Sequence, residues 1–356
     1  MNRGLDMSLQ AVCEQIQTPD SRVLAQAQAR LDRLTKPQGS LGRLEEMAAR
    51  YVMITGELKP SVPRGAVFTF AADHGVTREA VSAYPREVTP QMVLNFLRGG
   101  AGVNVLARHA GVEVNVVDIG VDYDFGNEPG LIRKKVMRGT GNLMVESAMT
   151  RAQAEQALMV GVDLSTQAVR DGIGLIGTGE MGIGNTTSSA AITAVMTGRS
   201  VAEVTGRGTG IDDAGHARKM AVIQRALDLH RPNRTDALGV LATVGGLEIA
   251  GLAGLMLGAA AAQVPVVLDG FIAGAAALAA VGLQPRCRDY LIASHQSVER
   301  GHQVILDHLA LKPLLDLDLR LGEGTGACLG MSLVCASIKI YTEMATFGEA
   351  GVSEKA

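Results

Sequence analysis

IGLIGTGEMGIGNTTSSAA, residues 173–191, runs from an apolar stretch through glycines into amide and hydroxyl residues. The apolar start reads as a buried strand, because a parallel strand covered on both faces carries a continuous apolar run. The glycines after it let the backbone turn sharply and present its N–H groups. Asn185, Thr186, Thr187 and Ser188 then open a helix, and a helix N-terminus with free N–H groups and hydroxyls is a ready anion cradle. Gly177, Gly179 and Gly182 also match Gly-x-Gly-x-x-Gly. The acid that a dinucleotide fold places after the following strand is not evident, so an NAD(P)-dependent oxidoreductase is the weaker reading. No Gly-Lys-Ser/Thr follows, so the segment is not a P-loop.

Four more apolar runs share this form: AVFTFAADHG (66–75), VEVNVVDIGVD (112–122), VPVVLDG (264–270) and YLIASHQS (290–297). Helical segments fit between them, at 89–110, 150–170 and 213–229. Strand–helix alternation implies an α/β fold, a parallel sheet with helices on both faces. Each run ends in polar or glycine residues: Asp73-His74-Gly75, Asp118 to Gly120, Gly179-Glu180, Asp269-Gly270 and Ser294-His295. Ligands of open parallel sheets bind outside the carboxyl ends of the strands, so these ends together imply a polar crevice. Upstream, Leu24, Ala27, Leu31 and Leu34 mark one face of a helix. KPQGSLGRLE (36–45) breaks it, with Ser40 placed to cap a second helix starting near Leu41.

The bulk numbers narrow the chemistry. A hydrophobic share of 47% indicates a buried core, and a net charge of -3 without long charge runs argues against a nucleic-acid surface. The N-terminal stretch, with Glu14, Gln15 and Gln17, lacks a signal-peptide core, and the Gly/Ala-rich run 249–262 is too short to span a bilayer. Cys13, Cys287, Cys328 and Cys335 form no Cys-x-x-Cys pair, and no histidine stands at metal-site spacing to them, so a reducing cytoplasm without a structural metal is expected. With aromatics at 3% and no tryptophan, a flat aromatic ligand is expected to lie mainly among aliphatic and methionine side chains.

Two further segments carry chemistry. GRGTGIDD (206–213) is a glycine loop before a helix; by itself it reads first as a helix-capping turn with solvated Arg207 and Lys219, and second as a phosphate site for which they are the candidate cations. LRLGEGTGACLG (319–330) places Glu323 between glycines ahead of an apolar helix. A poorly solvated carboxyl there has a raised pKa, which suits a general base near neutral pH, and the same position equally suits a helix N-terminal charge that the dipole favours. His74 and His295, at strand ends, are each placed to face the crevice or to serve structurally.

KPQGSLGRLE, AADHGV, GEMGIGNTTSSAA, GRGTGIDD, LDGFIAGAAAL, SHQSVERGH and LGEGTGA occur here in one order. In that order and over nearly the whole chain they resemble the nicotinate-nucleotide–dimethylbenzimidazole phosphoribosyltransferase family. The resemblance implies a large Rossmann-like domain (61–346), a small helical domain from segment 1–60 and part of the C-terminal region, a loose tail (347–356), and a homodimer. It implies Glu323 as the general base and Glu180 as a second carboxyl in the same site. It implies contacts of the phosphoribosyl group with Gly182, Asn185, Thr186, Gly208, Thr209, Lys219, Asp269 and Ser297. Tyr84, Gln91 and Met92 of YPREVTPQM are implied near the acceptor ring. The implied reaction moves ribose 5-phosphate from nicotinate mononucleotide to dimethylbenzimidazole, for the lower ligand of cobalamin, with no cofactor. Another benzimidazole, a purine or a phenol stays open as the acceptor.

Overall fold

In the computed structural model, which describes residues 8–353, six parallel strands form the central sheet. They are β1 Arg64–Ala72, β2 Glu113–Gly120, β3 Leu131–Arg133, β4 Ile173–Met181, β5 Val266–Leu268 and β6 Leu291–Ala293. Their order is β3-β2-β1-β4-β5-β6, so the direction of winding reverses between β1 and β4. Every pairing is parallel, which puts all the carboxyl ends at one edge.

The pleat of β1 explains the two layers. Ala66, Phe68, Phe70 and Ala72 point into a core shared with helix Leu247–Ala261, while Val67 and Ala71 point to the other side, toward Ala327 and Met331 of helix Thr325–Glu343. On the first side, helices Arg151–Arg170 and Leu247–Ala261 pack with their backbones almost touching. A Cβ added at Gly254 would lie 1.8 Å from the Leu158 carbonyl oxygen. The Gly/Ala run read from the sequence is therefore a tightly packed buried helix. On the other side lies Thr325–Glu343, the one described helix long and apolar enough to cross a bilayer. Met331, Val334 and Ile338 bury its inner face within the protein.

Several elements differ from the sequence reading. The helix after KPQGSLGRLE is Arg43–Thr55, and its N-cap is Gly42, in a left-handed turn at φ 54°, not Ser40. The single helix expected over 89–110 is two, Val88–Leu97 and Gly102–Ala110, separated where Gly99 takes φ 78°. Strand β3 is absent from the sequence reading; it has three residues, too few for a pattern. Helix Leu9–Gln15 packs Leu9 and Val12 into the main core rather than with the next two helices. Those two, Ser21–Leu31 and Arg43–Thr55, share a small core with Tyr341, where Arg30 Nε also donates to the Tyr341 carbonyl at 2.8 Å. The segment expected to be a loose tail begins with a helical turn, Phe347–Ala350, whose Phe347 N–H donates to the Arg33 carbonyl. Residues 1–7 of the expected N-terminal unit and 354–356 of the tail lie outside the described residues.

Candidate active site

A cavity of about 400 Å³ opens at the carboxyl ends of β4, β5 and β6, lined there by Glu180, Gly270 and His295. The ends of β1 and β2, also expected at the crevice, do not reach it. Asp73 instead accepts the Asp122 N–H at 2.8 Å, and Asp118 accepts the Val121 N–H and pairs with Lys135 at 2.9 Å. His74 turns inward: its Nε2 lies 2.6 Å from Glu248 Oε1 and its Nδ1 3.2 Å from Ser188 Oγ, all buried.

Glu323 sits on a turn that local sequence alone would not favour. Gly322, Glu323 and Gly324 take φ 85°, 66° and 105°, and the middle one carries a side chain. A left-handed non-glycine residue persists only where its surroundings hold it. Here Thr69 Oγ1 donates to the Glu323 carbonyl at 3.0 Å. Asp269 holds the other end by accepting the N–H groups of Gly324, Gly326 and Ala327 at 3.1, 2.8 and 3.1 Å. Gly179 of β4 makes room: a Cβ there would lie 2.2 Å from the Glu323 carbonyl oxygen. The Glu323 carboxyl lines the cavity and accepts the Val103 N–H at 3.2 Å, at the start of helix Gly102–Ala110. Burial raises its pKa, and the backbone N–H groups of Val103 and Gly102 oppose that rise.

Glu180 is buried beside it. Burial, then the nearby Asp269 charge, push its pKa up to about 8, with the Asn185 amide, which donates to its carboxyl, pulling the other way. At neutral pH Glu180 is therefore mostly a neutral acid. A Cβ at Gly322 would lie 2.3 Å from Glu180 Oε1, so the glycine is what lets the Glu323 turn approach this second carboxyl.

The opposite wall is built from the first turn of helix Asn185–Thr197 and the loop containing Gly208. Lys219, 1% exposed, donates to Thr186 Oγ1 at 2.6 Å, and burial lowers its pKa to about 8. Glu299 Oε1 accepts the Gly208 N–H at 2.9 Å and so fixes that loop. Thr209 Oγ1 accepts the Ala83 N–H at 3.1 Å, which ties the same loop to the segment bearing Tyr84. The remaining wall is mostly apolar, with Val88, Met92, Met181, Ile183, Ile272 and Leu321, joined by Tyr84 and Phe271.

A family model described as Phosphoribosyltransferase matches residues 16–352. The nicotinate-nucleotide–dimethylbenzimidazole phosphoribosyltransferase of Geobacter sp. (strain M21) is 61% identical over 345 residues, covering 97% of this chain and 99% of that protein. The enzyme of the same name from Geobacter sulfurreducens is 63% identical over 335 residues, covering 94% and 95%. The chain belongs to this phosphoribosyltransferase family. The crystal structure of CobT from Thermus thermophilus superposes with a TM-score of 0.90 at 50% identity, over 94% of this chain and all of that one.

For a phosphoribosyltransferase of this family, the candidate residues fall into three groups. Glu180, Gly182, Asn185, Thr186, Gly208, Thr209, Ser297, Glu323, Tyr84 and Met92 share the cavity wall. Lys219 and Asp269 stand just behind it, Lys219 through Thr186 and Asp269 through the Glu323 turn. Gln91 is exposed and off the wall, because Met92 is the residue that its helix turns toward the cavity. The sequence reading passes over Glu299 and Arg320, although both lie inside quoted motifs, SHQSVERGH and LRLGEGTGACLG. Their place inside those two motifs is the available signal. The pairing of His74 with Glu248 has none, since the two are 174 positions apart.

Proposed function

We propose that this protein transfers ribose 5-phosphate from nicotinate mononucleotide to dimethylbenzimidazole, releasing nicotinate and forming α-ribazole 5′-phosphate for the lower ligand of cobalamin. The observation that carries this reading is the pairing of two buried carboxyls, Glu323 and Glu180, with a facing wall of Thr186, Gly208 and Thr209 backed by Lys219.

The donor's ring nitrogen is a pyridinium, so its bond to the ribose breaks with the electron pair moving onto that nitrogen. One dimethylbenzimidazole nitrogen forms the new bond from the opposite face of the sugar, turning a β-linked donor into an α-riboside. The ionised Glu323 takes the proton from the acceptor's other nitrogen, which keeps positive charge from accumulating on the new base. Such general-base help contributes about a hundredfold to ten-thousandfold in rate. Neutral Glu180, steadied by Asn185, donates a hydrogen bond that orients the bound groups. The phosphate lies against the first turn of helix Asn185–Thr197 and the Gly208 loop, where Lys219 supplies charge through Thr186. Ser297 extends that wall toward the ribose, and Asp269 acts by holding the Glu323 turn. The acceptor ring rests among Tyr84, Val88 and Met92, with Gln91 at the outer rim.

The same reading makes the later helices of segment 1–60, Ser21–Leu31 and Arg43–Thr55, with the C-terminal region a small helical unit beside a catalytic unit at 61–346. It also makes the protein a cytoplasmic homodimer that acts on small molecules, without nucleic-acid or membrane partners. Incubating the purified protein with nicotinate mononucleotide and dimethylbenzimidazole, with chromatographic separation, tests the reaction. Equal amounts of nicotinate and α-ribazole 5′-phosphate are expected. Donor binding without product, across a panel of benzimidazoles, purines and phenols, would overturn it.

A further inference from the structure

The charges on the cavity wall are unbalanced. Glu180, Glu299 and Glu323 all line it, and among the described residues Arg320 is the only arginine or lysine that does. Arg320 is exposed, and no hydrogen bond or ion pair engages its guanidinium among the described residues. It stands three positions before Glu323 and two before the left-handed turn begins at Gly322. The other cation near the cleft, Lys219, is buried behind Thr186, where a Cβ at Gly208 would lie 3.1 Å from its Nζ. Lys219 thus serves the Thr186–Gly208 wall and cannot also reach the Glu323 side.

On the proposed reaction, the donor brings two anions into this acidic cleft, a phosphate and an aromatic carboxylate. The helix N-terminus and the Lys219–Thr186 pair account for the phosphate. A carboxylate left beside Glu299 and Glu323 without a cation would be repelled. We infer that Arg320 is the specificity-determining residue for the donor's carboxylate, receiving it on a two-pronged guanidinium and so selecting a carboxylated pyridine over its amide. Arginine suits this task, since its planar fork pairs with both oxygens of a carboxylate. An exposed, unpaired guanidinium is also free to swing with the leaving ring as the ring departs.

The test rests on the proposed function but fails separately from it. Inhibition constants for nicotinate, nicotinamide and ribose 5-phosphate are measured against turnover by the wild-type protein, Arg320→Ala and Arg320→Lys. Losing a charge-assisted pair is expected to weaken nicotinate about tenfold or more in Arg320→Ala, with Arg320→Lys recovering part of the loss. Nicotinamide and ribose 5-phosphate should hold within about twofold, since neither presents a carboxylate to the fork. If ribose 5-phosphate weakens as much as nicotinate, Arg320 serves the phosphate and the assignment is wrong. If nicotinate is unaffected, the guanidinium is only solvated charge and the assignment is equally wrong. Absence of turnover in the wild-type protein would instead count against the proposed reaction.

Discussion

The two loops that flank Glu180 reach their shapes by different means. In residues 182–187 the one left-handed position is Gly184, at φ 95°, and the chain then enters a helix directly. Each residue there suits its local conformation. In residues 322–324 three successive positions are left-handed and the middle one is a glutamate. A side chain in that region costs roughly 1–2 kcal/mol relative to glycine. The cost is offset from a distance, by Thr69 on β1, by Asp269 after β5 and by the missing side chain of Gly179 on β4. One loop is shaped by its own sequence and the other is imposed by three strands. The imposed loop bears the carboxyl at the centre of the proposed mechanism, which fits the tendency of backbone strain to gather at functional sites.

The sharpest way to separate the two loops is to remove the charge and leave the strain. Glu323→Gln should lower kcat by about a hundredfold to ten-thousandfold while its denaturant midpoint stays near that of the parent protein. Near-normal turnover would take Glu323 out of the base role. Next in size comes an attack on the imposed shape itself. Gly179→Ala brings a methyl group against a backbone oxygen that cannot yield, and a displacement of about 1 Å in an active site costs on the order of a hundredfold. Gly348→Ala, with nothing within 4 Å of the added carbon, is the matched control. Equal kcat in the two variants would mean that the Glu323 turn does not depend on its neighbours.

The smallest effect concerns pH. Glu180 keeps its proton up to about pH 8 and loses it above, so kcat/KM should fall through that region as its hydrogen bond to the bound groups is lost. Glu323 must be ionised, so the acid limb should lie above the usual carboxylate range, since burial raises its pKa. Glu180→Gln carries no titrating proton, so its basic limb should shrink relative to the parent protein while the acid limb remains. A basic limb that survives in Glu180→Gln would belong to another group, and the buried Lys219, also near 8, is the first to examine.

Much of the fold was legible because burial on both faces writes itself into composition. The apolar runs that became β1, β2 and β4 match their strands closely, and the expected helix at 150–170 is Arg151–Arg170, capped by Thr150 and Gln153. Strands β3, β5 and β6 have three residues each, and their true extents were hidden because such short runs carry no period. The candidate site was legible where the chemistry sits inside one motif, as with Glu180 and Asn185. It was hidden where residues meet from separate strands.

By itself, the sequence determined the parallel α/β class, the glycine-turn setting of Glu323 and the helix-opening position of Asn185 to Ser188, because each depends only on neighbours along the chain. Tertiary structure decided which polar strand ends reach the cavity and that Lys219 and Asp269 stand behind its wall. It also decided how a glutamate is kept in a glycine's conformation. Those outcomes depend on contacts spanning tens to hundreds of residues, such as Thr69 to Glu323 and Asp269 to Gly326, and no local pattern encodes a partner that far away.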